Sequence, residues 1–485
     1  MNNRVTTSTF TRNAIHFTSL HQAQLLKTQR QIASGVAFEL PSEKPMAFRQ
    51  VRSLESRRVE LQSDQHVVGT ARGHLNAGVG ALQEMTDLIT NARNLVQQGI
   101  QSIDDNERET LAIEIEAILD QAQRIAMTQH DEKYLFGGAR SDRPPFSFGP
   151  PVHDNGPLSV AYQGVHRQGQ SHVGDTLTVD TLYDGSRVFG SSGRGETIMV
   201  GATGARHGGG TDTLIGRATL QIRHTATTYA GGSGVQPGID SAERDNIIGP
   251  PGAYQLTVED TSGTGAAGFV ALSGGEPVAF TDADTNLEVI GPSGEVVYVD
   301  TTSIAAGFVG TVDIEATGTL SVDGGTSTQP ITFGPSQVVT DAGDGRYVTI
   351  DSSNIRLAGD EALEFSGTSN LFQVLKATAD DLRNARGFSN AEYAESLGRR
   401  LADLEESASM VFDAMGQQAT SLRTLRSLEY RIEDLVLSSE TSISELQSTD
   451  FPDAVMRLTS SQTLLQYTYA VTAEVSTLGL IDFLR

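Results

Sequence analysis

The sequence predicts an α+β protein of several domains, in which helices from both ends of the chain pack together around an inserted, mainly β region. Apolar residues recur with helical spacing before residue 130 and again after residue 390, whereas the middle is rich in Gly, Thr and Ser and has short alternating runs. Helices with narrow apolar stripes cannot bury them alone, so the two ends of the chain must meet.

The clearest helical pattern begins after Pro45. From Leu54 onward, apolar residues occupy eight consecutive positions spaced seven residues apart. This pattern predicts a helix of coiled-coil type over about 46–103. Several glycines interrupt it, so packing against neighbours must hold that helix. Asp104, followed three residues later by Glu107, resembles a capping box and predicts a second helix over about 105–130.

A third heptad helix is predicted over 390–447, where Ser389 and Glu392 form another capping-box pattern. Gln418 and Glu429 occupy seam positions of this helix, and polar residues at seam positions can fix the register of a helix pair.

The three heptad helices are expected to bury their stripes against one another in a helical rod, made of 46–146 and 370–449. The apolar residues predicted to form its core are Leu54, Leu61, Val68, Leu75, Leu82, Ile89, Leu401, Leu404, Val411, Leu422, Leu425 and Ile432.

The region 147–369 is predicted to be β structure. Alternating segments at 287–290 and 295–299 flank a Gly-Pro-Ser-Gly turn, which indicates a hairpin. We expect one or two modules of sandwich or barrel type facing solvent.

The outermost segments, 1–45 and 450–485, predict shorter helices whose stripes are half polar. Helices of this kind are marginal in water, so we expect them to be frayed in a free monomer and ordered by neighbouring subunits. They would pair as an inner, assembly-dependent domain. Their predicted interface residues are Phe10, Phe17, Leu20, Val455, Leu458, Leu465 and Tyr469.

Composition excludes several functions. The net charge of −25 argues against nucleic acid and anionic membranes as partners. The absence of cysteine excludes disulfides, thiolate metal sites and cysteine nucleophiles. No catalytic motif, metal-ligand pattern or cofactor loop stands out, so we expect no enzyme, no cofactor and no metal. The polar N-terminus lacks a Sec-type signal, and no segment has the apolar length of a membrane span.

Several short motifs stand in order near the two ends of the chain: QIASG at 31–35 with PSEKP at 41–45, YLFGGA at 134–139 with PPF at 144–146, STDF at 448–451, and LGLIDFL at 478–484. Together they resemble motifs of the bacterial flagellin superfamily, and within it those of the hook–filament junction proteins. Glu43 and Lys44 depart from the two aspartates usual in that family.

The resemblance implies a structural subunit that leaves the cell through the flagellar type III pathway and resides in the extracellular flagellum. It would form a ring of identical subunits at the hook–filament junction. Its implied partners are the hook-associated protein FlgK, flagellin, other copies of itself, and an export chaperone of the FlgN type that masks the C-terminal helix.

Two other functions stay open from the sequence. Filament flagellin itself has the same plan, although the YLFGG and IDFL motifs favour the junction proteins. A secreted adhesin on a coiled-coil stalk would need a ligand cleft in the β region, where no aromatic cluster is evident.

Overall fold

The computed structural model describes residues 7–102, 104–150, 157–173 and 177–483, and it confirms the α+β class. Eight helices lie in these residues, and the three longest heptad patterns each coincide with one helix. Their bounds are α1 (Thr7–Ser34), α2 (Pro45–Gln101), α3 (Asp105–Ala126), α4 (Gly185–Val188), α5 (Ser241–Arg244), α6 (Leu371–Leu382), α7 (Asn390–Gln447) and α8 (Phe451–Phe483).

The helix starts follow from their capping residues. At α7 the predicted box forms, because Ser389 N donates to Glu392 Oε2 over 2.9 Å and Glu392 N donates to Ser389 Oγ over 3.4 Å. At α3 the predicted box is wrong. Asp104 Oδ1 does accept from Asn106 N, but the Glu107 carboxylate accepts from Ser102 Oγ over 2.7 Å instead of closing the box.

The central region contains most of the strands, as predicted. The strands are β1 (Gln129–His130), β2 (Lys133–Tyr134), β3 (Phe146–Gly149), β4 (Ser159–Tyr162), β5 (Gly169–Val173), β6 (Leu177–Leu182), β7 (Thr197–Val200), β8 (Arg206–His207), β9 (Gly216–Tyr229), β10 (Gln236–Pro237), β11 (Gly249–Asp260), β12 (Ala267–Leu272), β13 (Val278–Thr281), β14 (Leu287–Ile290), β15 (Val296–Asp300), β16 (Val309–Ser321), β17 (Gln329–Pro330), β18 (Gln337–Thr340), β19 (Tyr347–Asp351) and β20 (Gly359–Phe365).

One antiparallel sheet organises the region, in the order β13-β12-β11-β16-β9-β20-β7, with β17 also paired to β16. Two three-stranded sheets, β10-β15-β14 and β18-β19-β8, accompany it. The predicted hairpin is β14–β15, whose turn has Gly294 at φ 87°, a backbone conformation that glycine adopts without strain.

Two separate apolar cores form in the β region, so it holds two modules. Leu256 and Val297 belong to the first core, whereas Leu363 and Val348 belong to the second. Strand β16 serves both, because Val312 and Ile314 lie in the first core and Leu320 lies in the second.

Each of the two modules contains a copy of the same short sequence pattern, which forms a strand end followed by a turn. The sequences VYVDTTSI at 297–304 and VTIDSSNI at 348–355 match in pattern. In each, the aspartate carboxylate accepts from both the backbone N and the hydroxyl of the residue two positions on: Asp300 from Thr302, and Asp351 from Ser353. A buried isoleucine ends each copy. The same chain pattern therefore builds the same turn twice.

The YLFGG and PPF motifs meet in an aromatic cluster. The rings of Phe136 and Phe189 lie 4.9 Å apart between centroids, and those of Phe146 and Phe372 lie 5.4 Å apart. Gly137 permits a tight turn here, since a Cβ at that position would lie 2.1 Å from Arg140 O. The motif is thus a packing element.

The backbone contacts divide the chain into two compact units. One consists of 1–72, 172–179 and 423–485, and the other of 73–171 and 180–422. The domain boundaries proposed from the sequence stay a prediction.

Candidate assembly interface

The two chain ends are joined by a short backbone bridge. Val36 pairs with Ser448 in an isolated antiparallel bridge, Ala37 N donates to Gln447 O over 2.7 Å, and Thr449 N donates to Gly35 O over 2.9 Å. Gly35 has φ 72°, which ends α1 and turns the chain toward this bridge. The bridge brings α1 and α8 side by side, and the two helices pack together.

The PSEKP segment supports this junction despite its departure from the family pattern. Glu43 Oε2 accepts from Glu39 N over 3.0 Å, and Glu43 Oε1 pairs with Lys27 Nζ over 3.0 Å. The Lys27 hydrogen bond lowers the pKa of Glu43. Phe38 is buried beneath Lys44. Glu43 therefore ties the turn back to α1.

The helix pair buries mainly small or polar side chains. Among the described side chains of α1 and α8, the fully buried residues are Thr28, Ala454 and Ser461. The hydroxyl of Thr28 is satisfied by Gln24 O in its own helix. Such a seam buries little apolar area, so it contributes little hydrophobic stabilisation.

The predicted interface residues divide into exposed and half-buried groups. Phe17, Leu20, Val455 and Tyr469 are exposed, whereas Leu458 and Leu465 are half-buried toward the seam. The side chain of Phe10 lies outside the described residues. Their assembly role stays a prediction.

A second apolar stripe on α8 was missed from the sequence. Met456, Leu464, Tyr467 and Val471 are all exposed, and Tyr467 exposes 67% of its surface. At about 100° per residue, they fall within one arc, turned away from Ala454 and Ser461. Their spacing of three and four residues is a helical signal, but apolar residues on the other sides of α8 blur it. The α8 helix therefore presents apolar surface on two sides.

In the same unit, α2 and α7 carry part of the predicted rod core. Leu61, Val68, Leu425 and Ile432 are buried, while Leu54 is partly buried. Glu429, the predicted register residue, forms an ion pair with Arg72 across the two helices.

In the other unit, the core positions Leu75, Leu82, Ile89, Leu404 and Val411 are buried. Leu401 and Leu422 are partly buried.

Gln418, the second polar seam residue, is fully buried in that unit and faces Gly78. A Cβ on Gly78 would lie 3.1 Å from Gln418 Nε2, so the glycine makes room for the amide. Neither amide atom of Gln418 has a hydrogen-bond partner among the described residues. Such a group destabilises the fold by about 1–3 kcal/mol.

The described residues contain no group of three or more His, Asp or Glu side chains placed to hold a metal ion. None of the described helices is both long and apolar enough to cross a membrane. A cavity of about 620 Å³ in the β region is lined by residues such as Gln221, Asp323 and Arg346, and none of its lining residues is aromatic.

The acidic groups of that cavity already serve the fold. Burial opposes ionisation of Asp323, yet hydrogen bonds from Ser327 N and the hydroxyls of Ser321 and Ser327 hold its pKa at about 2. This cavity therefore gives no support to a glycan-binding adhesin.

Residues 5–141 match the bacterial flagellin N-terminal helical region, so the predicted resemblance to the flagellin superfamily is confirmed. The chain is also similar to flagellar hook-associated protein 3 of Salmonella typhimurium, with 25% identity over 174 residues. That match spans 35% of this chain and 51% of the relative, about half its length.

Solved structures of FlgL also match the chain, at low identity and with TM-scores below 0.5. The flagellar junction protein FlgL from Legionella pneumophila is 17% identical, with a TM-score of 0.40, and the match covers 82% of this chain and all of that one. For FlgL of Xanthomonas campestris the identity is 15% and the TM-score 0.41, with coverage of 81% and 99%.

Proposed function

We propose that this chain is a non-enzymatic structural subunit of the bacterial flagellum, located outside the cell at the junction between hook and filament. The observation that carries the proposal is the α1–α8 pair with its exposed apolar stripes, formed by a chain whose N-terminal part matches the flagellin helical region. The similarity to hook-associated protein 3 favours the junction over the filament.

The exposed stripes suit a helix pair that is completed by neighbours. Burying one large apolar side chain stabilises an interface by about 1.5–3 kcal/mol. The described part of α8 exposes seven such residues, from Phe451 to Val471. An isolated pair with a seam of small residues gains little from its own packing. Contacts with other subunits would therefore supply most of its stability.

We infer a ring of identical subunits, bounded by FlgK on one side and flagellin on the other. Before export by the type III pathway, a chaperone of the FlgN type would cover α8, whose exposed apolar surface would otherwise favour aggregation.

The terminal helices would then order fully only in the assembly. Limited proteolysis of the monomer is expected to trim about 40 residues from each end, since weakly held ends are cut first. Resistant ends would contradict this part of the proposal.

Deletion of the gene tests the location. Cells without this protein are expected to keep their hooks and to release filament protein into the medium, because the filament has no base to grow from. Re-expression of the full chain should restore filaments. Cells that contain no filament protein at all would instead identify the chain as filament flagellin, the second candidate.

A further inference from the structure

A nearly buried cluster of charged residues lies where the β region meets the helices within one unit. Glu364 on β20 and Arg217 on β9 are register partners across the sheet. Their side chains form ion pairs with helix residues. Both are almost fully buried, with 2% and 4% of their surfaces exposed.

The carboxylate of Glu364, on the sheet, forms ion pairs with three arginines. Glu364 accepts from Arg386 over 2.5 Å, from Arg399 Nε over 2.6 Å and from Arg400 over 2.9 Å. Arg386 follows α6, and the other two lie in α7. This one carboxylate therefore contacts two successive segments of the helical part.

The guanidinium of Arg217, also on the sheet, forms ion pairs with two aspartates. Arg217 pairs with Asp380 and, over 3.2 Å, with Asp381, both of which lie in α6. Asp381 also accepts from Arg386 over 2.8 Å and from Ser396 Oγ over 2.8 Å, and it pairs with Arg400 over 3.3 Å. Asp381 thereby links the two halves of the cluster.

The charges are arranged reciprocally. An acid on the sheet faces bases on the helices, and the neighbouring base on the sheet faces acids on α6. Turning or sliding the sheet would place like charges together in a site from which water is largely excluded. Like charges there repel strongly because the effective dielectric is low. The cluster consequently selects one orientation.

Stability alone does not account for these residues. Buried ion pairs lose hydration on folding, and an apolar cluster of similar volume is often as stable or more so. The cluster is also incompletely satisfied. Among the described residues, Arg386 Nε and Nη1 and Arg217 Nε have no hydrogen-bond partner. A role in fixing the orientation of the sheet therefore explains these buried charges better than a gain in folding stability does.

We propose that this cluster is a positioning device that fixes the angle of the β region on α6 and α7. Glu364, Arg217 and Asp381 are its central positioning residues. Strands β9 and β20 are thus held at one angle to α6 and to the first turns of α7. This inference does not depend on the flagellar location.

Distance measurement tests the proposal on the full chain. Since the sequence lacks cysteine, nitroxide labels can be placed cleanly through Thr228→Cys on the β region and Ala419→Cys on α7. Both positions are exposed and lie in the same unit. The otherwise unaltered chain should give one narrow distance peak by pulsed electron spin resonance. Glu364→Gln should broaden or split that peak at temperatures well below unfolding.

Asp360→Asn is the matched control. Asp360 lies on the same strand β20 and pairs with Arg223 on β9, but that pair is about half exposed. Its loss should leave the peak unchanged. If Glu364→Gln does not fold, Arg399→Gln replaces it, since Arg399 is one of three partners and lies nearer the surface. A folded cluster variant that keeps the narrow peak would overturn the proposal, whatever its melting temperature.

Discussion

The terminal helix pair and the charged cluster solve opposite problems. In α1 and α8 the most buried residues are small, and many of the large apolar side chains are exposed. At the cluster, charges are buried and matched within the chain. The type of side chain left exposed therefore indicates which surfaces are proposed to contact other subunits. An exposed apolar stripe fits the proposed contact with another subunit, whereas the buried charges pair with one another inside the chain.

Introducing charge into the second apolar stripe of α8, which contains Leu464 and Tyr467, should give the largest effect. Leu464→Asp with Tyr467→Asp removes two large apolar side chains from the proposed contact with neighbours. At about 1.5–3 kcal/mol each, assembly should weaken at least a hundredfold. Sedimentation of assembled protein measures this. The exposed Thr459→Asp, on the same helix, is the control for charge alone. Unchanged assembly of the double variant would remove the stripe from the interface.

Breaking the cluster should destabilise the monomer strongly. Glu364→Gln leaves three arginines short of their shared acid, and loss of one partner from a buried ion cluster costs about 3–5 kcal/mol. Asp360→Asn should cost less than about 1 kcal/mol because its pair is exposed. Denaturant unfolding measures both. Equal losses would show that burial does not distinguish the two pairs.

Acid should weaken the same cluster. Burial opposes ionisation of Glu364, but Arg400, Arg386 and Arg399 hold its pKa at about 2. This pKa lies below that of Glu364 in the unfolded chain, so ionised Glu364 stabilises the fold fully above about pH 4.5. That stabilisation, up to about 3 kcal/mol, is lost as the pH falls toward 2. Urea unfolding between pH 7 and pH 3 should show the decline. Glu364→Gln should flatten it, and an identical slope in the variant would contradict the assignment.

Two glycines of α2 should respond oppositely to alanine. A Cβ on Gly99 would lie 2.2 Å from Leu382 Cδ2, so Gly99→Ala should cost about 1–3 kcal/mol by overpacking. Gly80 has no atom within 4 Å of such a Cβ, and Gly80→Ala should stabilise the helix by about 1 kcal/mol. Thermal unfolding compares the two variants. A stabilising Gly99→Ala would mean that α2 and α6 do not pack closely there.

The sequence predicts what depends on local periodicity. The heptads located α2 and α7 to within a few residues, and the Ser389 cap marked the start of α7 correctly. Such signals lie within one turn or one helix, where neighbouring residues determine the backbone. The second apolar stripe of α8 was not predicted, because apolar residues on several sides of a helix blur its amphipathic pattern.

The cluster could not be found from the sequence. Arg217, Glu364 and Arg400 are separated by long stretches of chain and belong to different elements, so no spacing connects them. The Asp104 prediction failed for a related reason. Ser102 donates its hydroxyl hydrogen to the Glu107 carboxylate, and the capping-box pattern takes no account of a side chain outside residues 104–107.

Strand β16 has a mechanical consequence. Its first half lies in one β core and its second half in the other, with no linker between them. Tension applied to one β module therefore passes along a continuous, hydrogen-bonded backbone into the other. The pair would resist shear as one body and yield in one step, where two modules on a flexible tether would swing and unfold separately.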